Sequence, residues 1–123
     1  MFVLRKEHEV WWPVVVQVPK DGGEFERQSC RVRFKAQPNK VVQAALRQIA
    51  RLPDTEQEDA HRELIMDRVI DWTDLVDEDG QPIPFSRETL KAALEFDYVL
   101  TAFVGAYAEA FSGAGREKRR RGN

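Results

Sequence analysis

Cysteine is almost missing from this chain: Cys30 is the only one in 123 residues. No internal disulfide can form, which excludes a secreted scaffold stapled by bridges and points to a reducing cytoplasm. Histidine is nearly as scarce, with His8 and His61 alone. Neither lies near the other or near Cys30, whereas zinc sites bring their ligands in closely spaced pairs. No metal or other cofactor is expected. Long apolar runs are absent too. The longest, Val10 to Val16, is interrupted by Pro13 and falls far short of the ~20 residues that a membrane helix requires. The opening MFVLRKEHEV has no basic segment followed by a long apolar stretch, so no signal peptide is expected. A cytoplasmic chain with no membrane contact is the expectation.

What is present suits one folded domain. Hydrophobic residues make up 42% and charged residues 33%, and domains cluster at roughly 100–150 residues. A chain of this size buries about two-thirds of its surface, enough for a core without metal or disulfide. The net charge is −2, and it is unevenly placed. Residues 54–59 and 67–79 are acidic, while Arg116 to Arg121 is strongly basic. The spacing predicts a domain over residues 1–112 and a disordered basic tail over 113–123, where glycine and charge leave nothing to bury.

Residues 8–18 and 24–36 predict a β-hairpin. Val10, Trp12, Val14, Val16 and Val18 share one parity, the side-chain period of a strand. In the second run Cys30, Val32, Phe34 and Ala36 alternate with Ser29, Arg31, Arg33 and Lys35, giving one buried and one cationic face. Residues 19–23, PKDGG, supply the positive-φ residues of a reversal. Pro13 cannot donate to a ladder, so the first strand should have an open side there or a bulge. Residues 69–76 read as a short extended segment available as a third strand, with Ile70, Trp72, Asp74 and Val76 the more apolar parity. Residues 77–84 read as a turn.

Four helices complete the expectation of an α+β fold. Asn39 reads as the N-cap of a first helix whose inner face is Val42, Ala45, Leu46 and Ile49, ended by Leu52-Pro53. Thr55 and Glu58 have the spacing of a capping box for a second, largely solvated helix to about Met66. Ser86 caps a third, with Leu90, Ala93 and Leu94 inward. A fourth runs from about Asp97 to Phe111, with Leu100, Phe103, Tyr107 and Phe111 as a core-facing stripe.

Reaction chemistry finds little footing. Ser29, Ser86 and Ser112 lack the G-x-S-x-G context of a serine nucleophile. Cys30 lies on the apolar parity of its strand, where a thiol behaves as a small hydrophobe. Around Gly80 a calcium loop would need carboxylates at Leu75 and Ser86. The glycines Gly113 and Gly115 follow no strand and open no helix, so they cradle no phosphate. An enzyme is not expected. Among the aromatics, Trp11 and Trp12 occupy opposite faces of one strand, so both cannot enter one core. Val15 shares the parity of Trp11. That second face is either covered by a helix or serves as a protein-binding surface, where tryptophan is enriched.

From Trp72 onward the chain resembles a known family. The run VIDWTDLVDEDGQPIPFS over residues 69–86, followed by two helices with AYAEA at residues 106–110, is similar to the tail assembly chaperones of long-tailed phages and prophages. In that family a tryptophan segment precedes an acidic D-G turn and a P-F-S helix start, and a short tail with lysine near its end closes the chain. The likeness is best over residues 67–118 and covers the hairpin only in outline. The Arg119–Arg121 run extends beyond the family's tail.

The resemblance implies a non-catalytic chaperone that binds the long helical tape measure protein and recruits tail tube protein. It also implies a longer product made by frameshifting near the codons for residues 115–121. For such a role Trp11, Val15, Trp72, Tyr107 and Phe111 are the candidate partner-binding residues, with self-association through the acidic 71–79 loop as an option. Two other readings stay open. One is a tail completion or head–tail connector protein. The other is a small nucleic-acid-associated regulator using Arg116, Lys118, Arg119, Arg120 and Arg121, whose positive charges could neutralise phosphates. That tail has no interleaved aromatic to stack a base, and nucleic acid is the less favoured partner.

Overall fold

A computed structural model of the chain describes residues 1–113. Three antiparallel strands and four helices form an α+β fold in two layers. Strand β1 (Glu9–Lys20) pairs with β2 (Glu24–Lys35), and β2 with β3 (Val69–Thr73), in the order β1-β2-β3. Helices α1 (Asn39–Ile49) and α2 (Asp54–Met66) connect β2 to β3, and α3 (Arg87–Leu94) and α4 (Asp97–Ser112) follow. The expected disorder of the tail, and its residues Arg116, Lys118, Arg119, Arg120 and Arg121, lie outside the described residues.

The hairpin forms because two alternating runs meet across a three-residue turn. Lys20 pairs with Glu24, and Gly22 and Gly23 take φ of 84° and 80°, the left-handed region that glycine enters without penalty. Register is unbroken from Glu9↔Lys35 to the tip, with Pro13 opposite Arg31 and no bulge. Strand β1 is an edge, which gives the open side that a proline requires. Val14, Val32 and Phe34 are fully buried, and Cys30 is buried beside them. Burial pushes the Cys30 thiol up to about 11, and the Asp74 carboxylate adds to the shift. At neutral pH it is a protonated hydrophobe rather than a nucleophile.

The third strand departs from strict alternation. Arg33 pairs with Asp71 but Phe34 pairs with Val69, so Ile70 is an extra residue in a bulge. Both Val69 and Trp72 therefore reach the core at 6% exposure, although the sequence puts them on opposite parities. Period-2 reading of this segment fails because one inserted residue inverts every face beyond it. Past β3, Asp74 adopts φ 66° and the acidic turn closes on itself. The Asp77 carboxylate accepts from the backbone N–H of Asp79 and of Gln81, both at 2.9 Å, as an Asx turn does.

Helix starts differ from the expected caps at two places. Pro38 and Pro53 occupy the cap positions of α1 and α2 with no side-chain cap bond. Asn39 is already helical and accepts from the Gln43 amide at 3.5 Å. Thr55 and Glu58 form no capping box, since α2 has begun at Asp54. The fixed φ of each proline already directs the chain into the following turn. Ser86 caps α3 as expected: its hydroxyl accepts from Thr89 N at 3.0 Å while Ser86 N donates to Thr89 Oγ1 at 2.9 Å, a reciprocal box.

Helix α2 is also less solvated than its charge suggests. Arg62, Leu64 and Met66 are buried. The Arg62 guanidinium donates to the Leu94 carbonyl at 2.9 Å and pairs with Asp59 at 2.8 Å. It fastens α2 to the end of α3, satisfying a carbonyl that a helix terminus leaves orphaned. Leu90, Leu94, Phe103 and Ala106 bring α3 and α4 onto one side of the sheet, where the Phe34 ring meets Phe103 edge-on at 6.4 Å. Helix α1 packs its Ile49 side toward α2 and leaves Val41 half-exposed. No helix among the described residues is long and apolar enough to cross a membrane.

Candidate docking face

Because α4 lies across the Val14–Phe34 side of the sheet, the opposite side is left to the other parity. Among the described residues α4 is the helix packed on β1, and it lies on the other side from Trp11 and Val15. Along β1 this face carries Trp11, Pro13 and Val15; across the ladder on β2 stand Arg33, Arg31 and Ser29. Pro13, Ser29 and Arg31 are exposed, and Val15 is 38% exposed. Further along, Gln17 faces Arg27, and Pro19 faces Phe25, which is 63% exposed.

The face is thus two adjacent stripes, apolar on β1 and cationic on β2. Trp11 joins them. The guanidinium carbons of Arg31 and Arg33 sit 5.7 and 6.0 Å from its ring centroid, within reach of cation–π attraction. Arg33 also pairs with Glu9 at 3.0 Å. Arg27, Arg31 and Lys35 are exposed, and none of the ion pairs among the described residues engages them. Their charge faces solvent. Beside the Glu9 end lies a pocket of about 470 Å³ lined by Arg5, Glu7, His8, Glu9 and Arg33. Its walls are polar, so it continues the charged side of the face. No group of three His, Cys, Asp or Glu side chains among the described residues could hold a metal ion.

No protein-family model, curated protein or solved structure matches this chain. The five candidate partner-binding positions do not form one surface. Trp11 and Val15 stand together on the open face. Trp72 is at the core, 6% exposed, donating its indole N–H to the Ile83 carbonyl at 2.8 Å and meeting the Phe85 ring edge-on at 5.2 Å. A side chain so enclosed has little to offer a partner. Tyr107 and Phe111 lie on the helical side as partly buried members of the core margin. The Tyr107 hydroxyl accepts from Gln37 N at 3.0 Å, and Arg68 covers its ring at 4.3 Å. Phe111 leans on Tyr107 and meets His8 edge-on.

Missing from that candidate set were Arg27, Arg31 and Lys35. The alternation of β2 shows a cationic face, but only the hairpin register puts that face beside Trp11 and Val15. The signal was the turn length. A three-residue turn with Lys20 opposite Glu24 fixes every later pair by counting.

Proposed function

We propose that this chain is a tail assembly chaperone of a long-tailed phage or prophage, acting in the host cytoplasm by binding rather than catalysis. In this reading it holds the tape measure protein and promotes assembly of tail tube protein around it. The likeness over residues 67–118 suggests the family, and the open face of the sheet supports the mode of action. A chaperone for a long helical client needs an accessible apolar strip flanked by polar groups that keep the free protein in solution. The Trp11–Pro13–Val15 strip beside three exposed cations has that form.

The segment that carries the likeness has a structural job of its own. Trp72, Ile83 and Phe85 close the acidic turn against the core, and Ser86 then starts α3. Under this proposal the family signature marks the scaffold, and the client is met on the other side of the sheet.

Co-expression with the tape measure protein of a long-tailed phage tests the reading. The tape measure protein should stay in the soluble fraction and co-elute with this chain. Separate elution, with the tape measure protein aggregating as it does alone, would overturn it. Recovery of the chain in purified virions would instead favour a tail completion or connector protein.

A further inference from the structure

We propose that the open sheet face receives one amphipathic helix whose flank carries acidic residues about one helical turn apart. This deepens the chaperone reading and rests on it for the identity of the natural client, but it concerns the surface and the chemistry that recognises it. Neighbouring strands are about 4.8 Å apart, whereas a helix with its side chains is about 10 Å across. A helix laid along β1, with its apolar side on Trp11, Pro13 and Val15, necessarily overhangs β2. Its flank then sits above Arg31, Arg33 and Lys35 on that strand.

Spacing agrees with this. Alternate residues of an antiparallel strand repeat at about 7 Å, and residues i and i+4 of a helix rise by about 6 Å. Arg31, Arg33 and Lys35 therefore match acids at i, i+4 and i+8 on one flank. Arg27 lies four residues before Arg31, about 14 Å along the strand, which corresponds to about nine helical residues. The whole cationic stripe from Arg27 to Lys35 fits a helix of about 18 residues. Glu9, opposite Lys35 and bound to Arg33, and Asp71, opposite Arg33 on β3, are the acids among the described strand residues of this face. They temper its centre and leave Arg27, Arg31 and Lys35 to set the preference.

Charge complementarity selects this occupant over a nucleic acid. Pro13 and Val15 offer nothing to phosphate. The Trp11 ring is already attended by two guanidiniums, so it is a poor platform for a base. An apolar strip next to a cationic one instead fits a ligand with both characters on adjacent sides.

The test uses the full chain and labelled synthetic helices of about 18 residues, read by fluorescence anisotropy. Three peptides share composition as far as possible: a leucine stripe with a glutamate flank, the same stripe with a lysine flank, and the first one scrambled. Oligothymidylate is the fourth probe. The glutamate-flanked helix should bind, more weakly as salt is raised, and the lysine-flanked and scrambled peptides at least about tenfold more weakly. In the double variant Arg27→Glu/Arg31→Glu the preference should invert toward the lysine flank. Inversion in a variant with an unchanged circular dichroism spectrum separates recognition from loss of fold. Val15→Glu should lose both peptides.

Equal binding of the two flanks, equal binding of the scrambled peptide, or an unmoved preference in the double variant would overturn the proposal. Tighter binding of oligothymidylate than of any helix would overturn it in favour of nucleic acid. None of these outcomes depends on the tape measure protein, so failure here and failure of the chaperone reading are distinguishable.

Discussion

Replacing Trp72 with phenylalanine separates a core role from a binding role, because the two predict opposite results. The indole is 6% exposed and donates to the Ile83 carbonyl at 2.8 Å. Phenylalanine keeps a ring near Phe85 and removes that donor. Leaving a poorly solvated carbonyl without its partner costs about 1–3 kcal/mol, and the space vacated by the smaller ring adds roughly 1 kcal/mol. For a domain of this size each kcal/mol lowers Tm by about 4 °C. Trp72→Phe should therefore melt about 8–16 °C below the parent. Differential scanning calorimetry reads this directly, with Trp11→Phe on the open face as the companion, expected within about 0.5 kcal/mol of the parent. If Trp72→Phe melted within about 2 °C of the parent and instead lost its partner, the assignment of Trp72 to the core would be refuted.

Ser86→Ala removes the hydroxyl that accepts from Thr89 N and should cost about 1 kcal/mol in urea unfolding, whereas Thr55→Ala, outside any cap bond, should cost almost nothing. Cys30 predicts an alkaline weakness. Its folded pKa is raised from 9.0 to about 11, so its contribution is intact below the unfolded value and is lost as pH rises between those limits. Two pKa units correspond to about 3 kcal/mol at most. Cys30→Ala should show a smaller fall in stability than the parent across that window, measured by urea unfolding at pH 8 and pH 11; an identical fall in both would refute the burial argument. Alkylation of Cys30 by iodoacetamide in the folded parent should likewise be slow at neutral pH.

Much of the fold is written locally. The alternation of β1 and β2, the glycine turn and the Ser86 cap each bring their physical cause within a few residues, and each appears where that cause lies. The spacing of Leu100, Phe103, Tyr107 and Phe111 likewise places α4 on the core. Long-range terms are less legible. The bulge at Ile70 is set by pairing with Arg33 and Phe34, residues more than thirty positions earlier in the chain, so parity alone puts Val69 on the wrong side. Arg62 reads as surface charge until α3 presents the Leu94 carbonyl to it.

The candidate docking face is half visible in the sequence for the same reason. Trp11 and Val15 stand out as surplus apolar residues on an outward parity, and the arginines stand out as a cationic face. Their adjacency exists only across the ladder. Trp72 stands on the more apolar parity of its segment, and its nitrogen is committed to a carbonyl eleven residues on, a long-range contact that spacing alone does not show.

The chaperone proposal places its client on the open face of the sheet. Amide chemical shifts of the labelled chain, followed while tape measure protein fragments are added, locate that surface residue by residue. The strongest changes should fall on the strands, at Trp11, Val15, Arg27, Arg31 and Lys35, with the exposed face of α4 around Tyr98 and Val104 undisturbed. Shifts confined to α4 or to α1, with both strands unchanged, would contradict it.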